Sequence, residues 1–265
     1  MSGNGIPVVL GRCDDGRDLV IDLADSSHIA LQGQTRSGKS VLLYVLLVNL
    51  ARLRNVRVVG IDPTGILLNP WQTRPGAESR VLGTADMAQA ATALESVVGD
   101  MDQRIADLLA TDQDKMMDFT EGTPLVLVVL EEYPAALSAA EFEDADMVRK
   151  AGDRAATRIQ RCVRRLIQEG AKVGIRVILV AQRMDAAIIG GAERSNLTCR
   201  ISMRVDNMDA LRMLHPNAGS ELLAQVPYFT PGIGLVELPG QQIKVFKADN
   251  IDYSEYVARV KEGAK

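Results

Sequence analysis

The sequence predicts an α/β fold, a mostly parallel sheet covered by helices on both faces, with a short β-hairpin ahead of it. Two observations carry this. Short β-like runs at 29–32, 56–61, 125–130, 177–181 and 200–205 alternate with helical stretches, which argues for parallel strands joined by covering helices. Before them, apolar runs at 8–10 and 19–23 flank Asp14, Asp15 and Gly16, a turn sequence that closes a hairpin.

The elements follow in order. After the first two core strands, apolar residues Met87, Ala91, Leu94, Val98, Met101, Ile105 and Leu108 recur at four-three spacing and predict a helix over 87–108 with one apolar stripe. A second amphipathic helix is predicted over 149–169. Ala155, Ile159, Cys162 and Leu166 lie on one face, and Arg154, Arg158, Arg161 and Arg165 on another. The tail reads as strands at 233–237 and 243–246 joined by Pro239 and Gly240, then a helix near 254–261. With 265 residues and 47% hydrophobic content, the expectation is a single domain over 1–265, with 1–25 as its hairpin extension.

A net charge of −4 excludes a strongly basic nucleic-acid coat, so any contact with a polyanion must be local. Cys13, Cys162 and Cys199 are scattered, without C-x-x-C spacing or a nearby histidine, which argues against a zinc site or a disulfide framework and for free thiols in a reducing compartment. The start lacks the pattern of a signal peptide and no apolar run approaches a membrane span, so a cytoplasmic chain is expected.

The strongest chemical signal is Gly33, Gln34, Thr35, Arg36, Ser37, Gly38, Lys39, Ser40, a G-x-x-x-x-G-K-[ST] loop between a strand-like and a helical run. Glycines let backbone N–H groups face a polyphosphate, and a helix N-terminus adds partial positive charge. Lys39 would reach the β/γ-phosphates and Ser40 would bind Mg²⁺, which makes ATP and Mg²⁺ the expected ligands. The run at 125–130 ends in Glu131 and Glu132, carboxylates suited to holding Mg²⁺ and to polarising an attacking water. Gln182 and Arg183 end the next strand, where a polar side chain can sense a γ-phosphate. Asp62, at another strand end, reads equally as a pocket residue or a turn cap. The arginine stripe reads either as a face that is solvated or paired with acids such as Glu141, Glu143, Asp144 and Asp146, or as a subunit interface. In the second case Arg158, Arg161, Arg165 or Arg200 would act in trans on a neighbour's nucleotide. His28 reads as a packing or hydrogen-bonding residue, His215 suggests nothing, and Trp71 is either a core plug or a stacking platform.

The order of these motifs resembles the FtsK/SpoIIIE family within the FtsK–HerA group of ring ATPases. LGRCDDGRDLVIDLADSSHIALQGQTRSGKS is similar to the segment leading into that family's Walker A loop, VRVVGIDPTGI to its Asp-Pro strand, and LVLVVLEEYPAAL to its Walker B strand. RLIQEGAKVGIRVILVAQRMDAAIIGGAERSNLTCRISMRV follows the family pattern most specifically. The resemblance implies a RecA-like motor fold, with Gly33 to Ser40 as Walker A, Glu131 and Glu132 as the Walker B acids and Gln182 as the sensor. It also implies duplex-DNA phosphate contacts at Arg183 and Arg194. Three departures stand out: Arg36 replaces a usual glycine, Glu131 an aspartate, and Thr64 a lysine after Asp-Pro.

The resemblance implies an ATP-driven double-stranded DNA translocase working as a homo-oligomeric ring, a hexamer. With no recognisable winged-helix module or membrane segment, a separate membrane or DNA-recruiting partner is expected. The Leu-Glu-Glu-Tyr-Pro variant is similar to the FtsK-like transfer proteins of actinobacterial conjugative elements. Two other readings stay open: a ring ATPase that moves protein substrates, and a nucleotide-gated assembly protein with weak turnover.

Overall fold

The computed structural model describes residues 5–25, 28–184 and 188–263. Residues 26 and 27 of the stretch before the phosphate loop, and 185–187 of the loop after Arg183, lie outside them. In chain order the elements are β1 (Pro7–Cys13), β2 (Asp18–Asp22), β3 (Ile29–Gln32), α1 (Lys39–Leu50), β4 (Val56–Asp62), β5 (Arg80–Leu82), α2 (Met87–Ala110), β6 (Leu125–Leu130) and α3 (Tyr133–Asp146). They continue with α4 (Ala155–Glu169), β7 (Ile175–Ala181), α5 (Gly191–Asn196), β8 (Cys199–Ser202), α6 (Met208–Leu214), α7 (Ser220–Leu223), β9 (Ile233–Glu237), β10 (Lys244–Ala248) and α8 (Tyr253–Glu262). The α/β class and its mostly parallel core strands are as the sequence predicts. Among the described residues, no helix is long and apolar enough to cross a membrane.

Two compact units divide the chain, a middle unit over Arg54–Leu179 and a terminal unit made of Gly5–Leu53 with Val180–Lys265. In the middle unit the strand order is β7-β6-β4-β5, all parallel. Every residue of β6 and β7 is buried, so these strands are covered on both faces. The stripe of α2 departs from prediction at one point. Arg104 is buried where Ile105 was expected, because its guanidinium donates to the Pro124 and Val173 carbonyls, each at 3.0 Å, and pairs with Asp100. A polar head satisfied in this way can occupy a core position at little cost.

The second amphipathic helix, α4, begins at Ala155 rather than at 149. The chain breaks there because Asp144, at the end of α3, accepts the Ala155 and Ala156 amides at 2.7 and 3.0 Å and so caps the start of α4. Trp71 is a core plug, 1% exposed, with the Arg74 guanidinium 4.9 Å from its ring centre.

In the terminal unit the order is β2-β1-β10-β9-β8-β3, and only β3 and β8 are parallel neighbours. The expected hairpin of β1 and β2 forms, but β1 is not a loose extension, because its other edge pairs with β10. The register slips between Val9 and Gly11, and this bulge resets the alternation so that Val8, Leu10, Gly11 and Cys13 are all buried. Gly11 sits at φ +152°, and a Cβ there would lie 2.1 Å from the Lys247 carbonyl oxygen. Helix α8 packs on α1 through Tyr256, whose ring stacks on Tyr44 with centres 4.6 Å apart.

Burial of Asp144 would raise its pKa, but the Ala156 and Ala155 amides and the Arg149 guanidinium outweigh this and leave it lowered. A depressed carboxylate stabilises above its unfolded value and loses that contribution as pH falls through the folded one. Asp144→Ala should therefore cost about 1–2 kcal/mol at neutral pH. Urea titrations of both proteins should converge as pH drops below the 3.8 reference value.

Candidate functional site

The phosphate loop belongs to the terminal unit and is built by a change of direction between β3 and α1. Gly38 caps α1 at φ +104°, a conformation open to glycine, and a Cβ there would stand 2.8 Å from the Gly232 backbone nitrogen. That close approach is a tether: the Gly232 amide donates to the Ser37 carbonyl at 3.0 Å, and the Gly232 carbonyl accepts from Ala248 at 2.8 Å. At the other end of the loop, the Gly33 amide donates to Ala181 at 3.3 Å and the Gln34 amide to Arg204 at 2.9 Å. A Cβ on Gly33 would fall 2.6 Å from Ser37 Oγ, so both glycines keep open space that side chains would fill.

This cradle fits a polyphosphate. The first amides of α1 have no intrahelical acceptor, and the helix dipole places positive charge at the same point. Lys39 is 9% exposed and its Nζ donates to the Gly33 carbonyl, which holds the ammonium over the loop. The Ser37 hydroxyl is buried without a hydrogen-bond partner among the described residues, and Thr35, Arg36 and Ser40 are exposed. Arg36 takes φ +64°, the left-handed region that costs a non-glycine residue about 1 kcal/mol. A glycine at this position would carry no such cost.

The remaining predicted residues fall as follows. Gln182 and Arg183 follow the end of β7, both exposed, and Arg183 pairs with Asp206 at 3.3 Å. Arg194 lies in α5, half-buried. In the middle unit, Glu131 and Glu132 end β6, where the Glu131 amide donates to Ile61 at 2.9 Å. Glu132 takes φ +39° as the cap of α3. Asp62 resolves as a turn cap, with Oδ1 accepting from the Thr64 amide and hydroxyl at 3.1 and 2.9 Å and Oδ2 from the Leu68 amide at 2.9 Å.

Three arginines of the stripe, Arg158, Arg161 and Arg165, are paired with acids of α2, and Arg165 also with Glu169 of its own helix, rather than with the acids of α3. Arg158 meets Glu95 through two bonds of 3.0 and 2.7 Å. Arg165 is held by Asp102 and Glu169, each at 2.7 Å, and these hydrogen bonds raise its pKa further. Arg161 reaches Glu95 at 3.3 Å and keeps 64% of its side chain exposed. Arg200 is mostly buried and pairs with Glu237 at 3.3 Å.

Sequence reasoning missed Gly232 and a buried polar group formed by Gln32, Ser202 and His215. Two signals pointed there. Pro231-Gly232 marks a turn at the entry to a strand, and Gln32 is a polar residue ending an apolar strand, which requires a partner.

Comparison with known proteins bears on the family and the fold. The sequence model of the FtsK/SpoIIIE family matches residues 4–224. The chain is 27% identical over 241 residues to DNA translocase FtsK of Haemophilus influenzae, across 82% of this chain and 44% of that protein. It is 30% identical over 237 residues to DNA translocase FtsK of Chlorobaculum tepidum, across 82% of this chain and 27% of that protein. The chain thus spans less than half the length of either relative. Among solved structures, the conjugation coupling protein TcpA of pCW3, in its monomer form with ATPgS, matches with a TM-score of 0.74 at 21% identity, covering 98% of this chain and 70% of that one. The cytoplasmic domain of the type VII secretion ATPase EccC of Thermomonospora curvata matches at 0.72 and 19% identity, covering 96% and 31%. At such identities these two share the fold.

Two substitutions test the loop. Arg36→Gly should raise stability by roughly 0.5–1 kcal/mol in thermal melts, because glycine adopts the left-handed region without a Cβ penalty. Gly38→Ala should destabilise by more than about 2 kcal/mol, since the new methyl meets backbone rather than a movable side chain.

Proposed function

The chain belongs to the FtsK/SpoIIIE family, and from that premise we propose that it is an ATPase that moves double-stranded DNA as a homo-oligomeric ring, a hexamer. The observation that carries the nucleotide half is the Gly33–Ser40 cradle, with its glycine-only backbone positions and its lysine folded over the loop. The relatives named as DNA translocases support the cargo.

In this reading the loop amides and Lys39 hold the β- and γ-phosphates of ATP. Ser40 and Glu131 would hold Mg²⁺, Glu131 through water, and the bound ion would supply positive charge for the phosphates. Glu132 orients and polarises the attacking water. Gln182 senses the γ-phosphate. Arg183 and Arg194 contact DNA phosphates, positioning without reading sequence. Among the arginines proposed to act on a neighbour's nucleotide, Arg161 is the least committed to its own chain, since Arg158 and Arg165 each make bidentate pairs and Arg200 is largely buried. The fit to a conjugation coupling protein supports a role in DNA transfer between cells, with a separate membrane or DNA-recruiting partner.

ATP turnover measured with and without duplex DNA tests the reading. Duplex DNA should stimulate turnover at low salt, and unchanged turnover at every protein concentration would count against DNA as cargo and favour a protein substrate. Lys39→Ala should lower turnover by about 100-fold or more, the scale of losing a charge-stabilising donor. Glu132→Gln should retain ATP without hydrolysing it, and unchanged turnover in that variant would remove the role given to Glu132.

If Arg183 meets a DNA phosphate, Arg183→Ala should weaken duplex binding uniformly across sequences and reduce the slope of log affinity against log salt by about 1. A change confined to one DNA sequence would contradict a phosphate contact.

A further inference from the structure

Gln32, the residue before Gly33, ends an otherwise apolar strand and is fully buried. Its Oε1 accepts from the Met184 amide at 3.0 Å, and its Nε2 donates to Ser202 Oγ at 2.8 Å. A backbone N–H can only donate, so the carbonyl end of the Gln32 amide must face Met184 and its NH₂ end must face Ser202. His215 Nδ1 lies 3.1 Å from Glu237 Oε2, and because a carboxylate can only accept, the ring proton is on Nδ1. In a neutral ring Nε2 is then the acceptor, and Ser202 Oγ, 2.8 Å away, gives its own proton to it. Glu237 Oε1 meets Arg200 at 3.3 Å across the β8–β9 pairing, where the two residues are direct partners.

Donation therefore runs in one direction, from Gln32 to Ser202 to His215 to Glu237, and a neutral imidazole satisfies every member. Burial lowers the His215 pKa against the opposing pull of Glu237, in keeping with a neutral ring. Ser202 and His215 are fully buried, while the Arg200–Glu237 end opens with Asn217 on a cleft of about 600 Å³. The inner end stops on the Met184 amide, two residues beyond Gln182. All of these residues belong to the terminal unit.

We propose that His215 is a positioning residue for ATP turnover, holding the backbone that follows Gln182 in place through Ser202 and Gln32. The proposal rests on the reading of Gln182 as the γ-phosphate sensor. With the Ser202–His215 bond lost, the hydroxyl turns, the Gln32 amide loses its fixed orientation, and the Met184 amide loses a placed acceptor. The phosphate loop keeps its own tether at Gly232. The rate should therefore fall while ATP binding holds.

Two amides separate the faces of the ring, because a glutamine amide reaches the place of Nε2 and an asparagine amide that of Nδ1. In full-length protein, His215→Gln keeps the partner of Ser202, whereas His215→Asn keeps only the partner of Glu237. His215→Gln should stay within about 3-fold of wild-type kcat, while His215→Asn and Ser202→Ala lose about 10- to 100-fold, the scale of displacing a catalytic group by about 1 Å. KM for ATP and the affinity for a fluorescent ATP analogue should move by less than about 2-fold in all three, the mark of an interaction made only in the transition state. Equal losses in the two His215 variants, or a change in KM and melting temperature at constant kcat, would overturn the proposal. Should the Asn variant fail to fold, Ser202→Ala decides alone, since it removes a single oxygen from β8. Wild-type protein without ATP turnover would overturn the proposed function itself, whereas an active wild type with an unimpaired Ser202→Ala variant overturns only the role of His215.

Discussion

Two glycine backbones in contact set the geometry on which the phosphate cradle depends. At Gly38 the chain must turn from β3 into α1 while leaving its amides outward, and at Gly232 it must enter β9. Gly38 has no room for a side chain, since a Cβ there would stand 2.8 Å from the Gly232 nitrogen, whereas Gly232 has open space and favours glycine through its φ of +87°, with its amide spent on the Ser37 carbonyl. The loop is thus shaped by its own sequence and also by a turn from the far end of the chain, which is in turn fixed to the end of β10. Preorganisation of this kind places the ordering cost in folding rather than in ligand binding.

What could be read from the sequence was what local chemistry specifies. The loop Gly33 to Ser40, the core strands and the apolar faces of α2 and α4 follow from residue type and spacing, and the structure forms them within a few residues. What could not be read depended on distant partners. Arg104 is buried because the Pro124 and Val173 carbonyls lie within reach, and nothing within its own helix announces this. Helix α3 gave no periodic signal because its buried face is two alanines, one leucine, one tyrosine and Asp144, with little apolar bulk to mark the period. The start of α4 is set by Asp144, a residue of the preceding helix. His215 looked uninformative because its meaning lies in Ser202 and Glu237, brought to it by the pairing of β8 with β9.

The departures from the family pattern have different physical weights. Arg36 carries a conformational cost, since it occupies a left-handed position in a loop otherwise punctuated by glycine. Thr64 is locally accommodated, because its hydroxyl and amide both bond Asp62 and make the Asp-Pro turn self-contained. The stripe on α4 shows how an acidic protein can carry a basic face: Glu95 and Asp102 on α2 pair with three of its arginines and offset part of its charge within the chain. A positive surface drawn from sequence alone would overstate the charge offered to a polyanion.

The three cysteines bear on how this protein can be studied as well as on how it folds. Cys13, Cys162 and Cys199 are all buried, and burial pushes each thiol up, Cys199 to about 12. A thiol that is both hidden and protonated reacts slowly with maleimides. A cysteine introduced on the surface would therefore take a dye selectively in the native background. One dye in each unit would then report their separation as nucleotide or DNA is added, with every wild-type cysteine left in place.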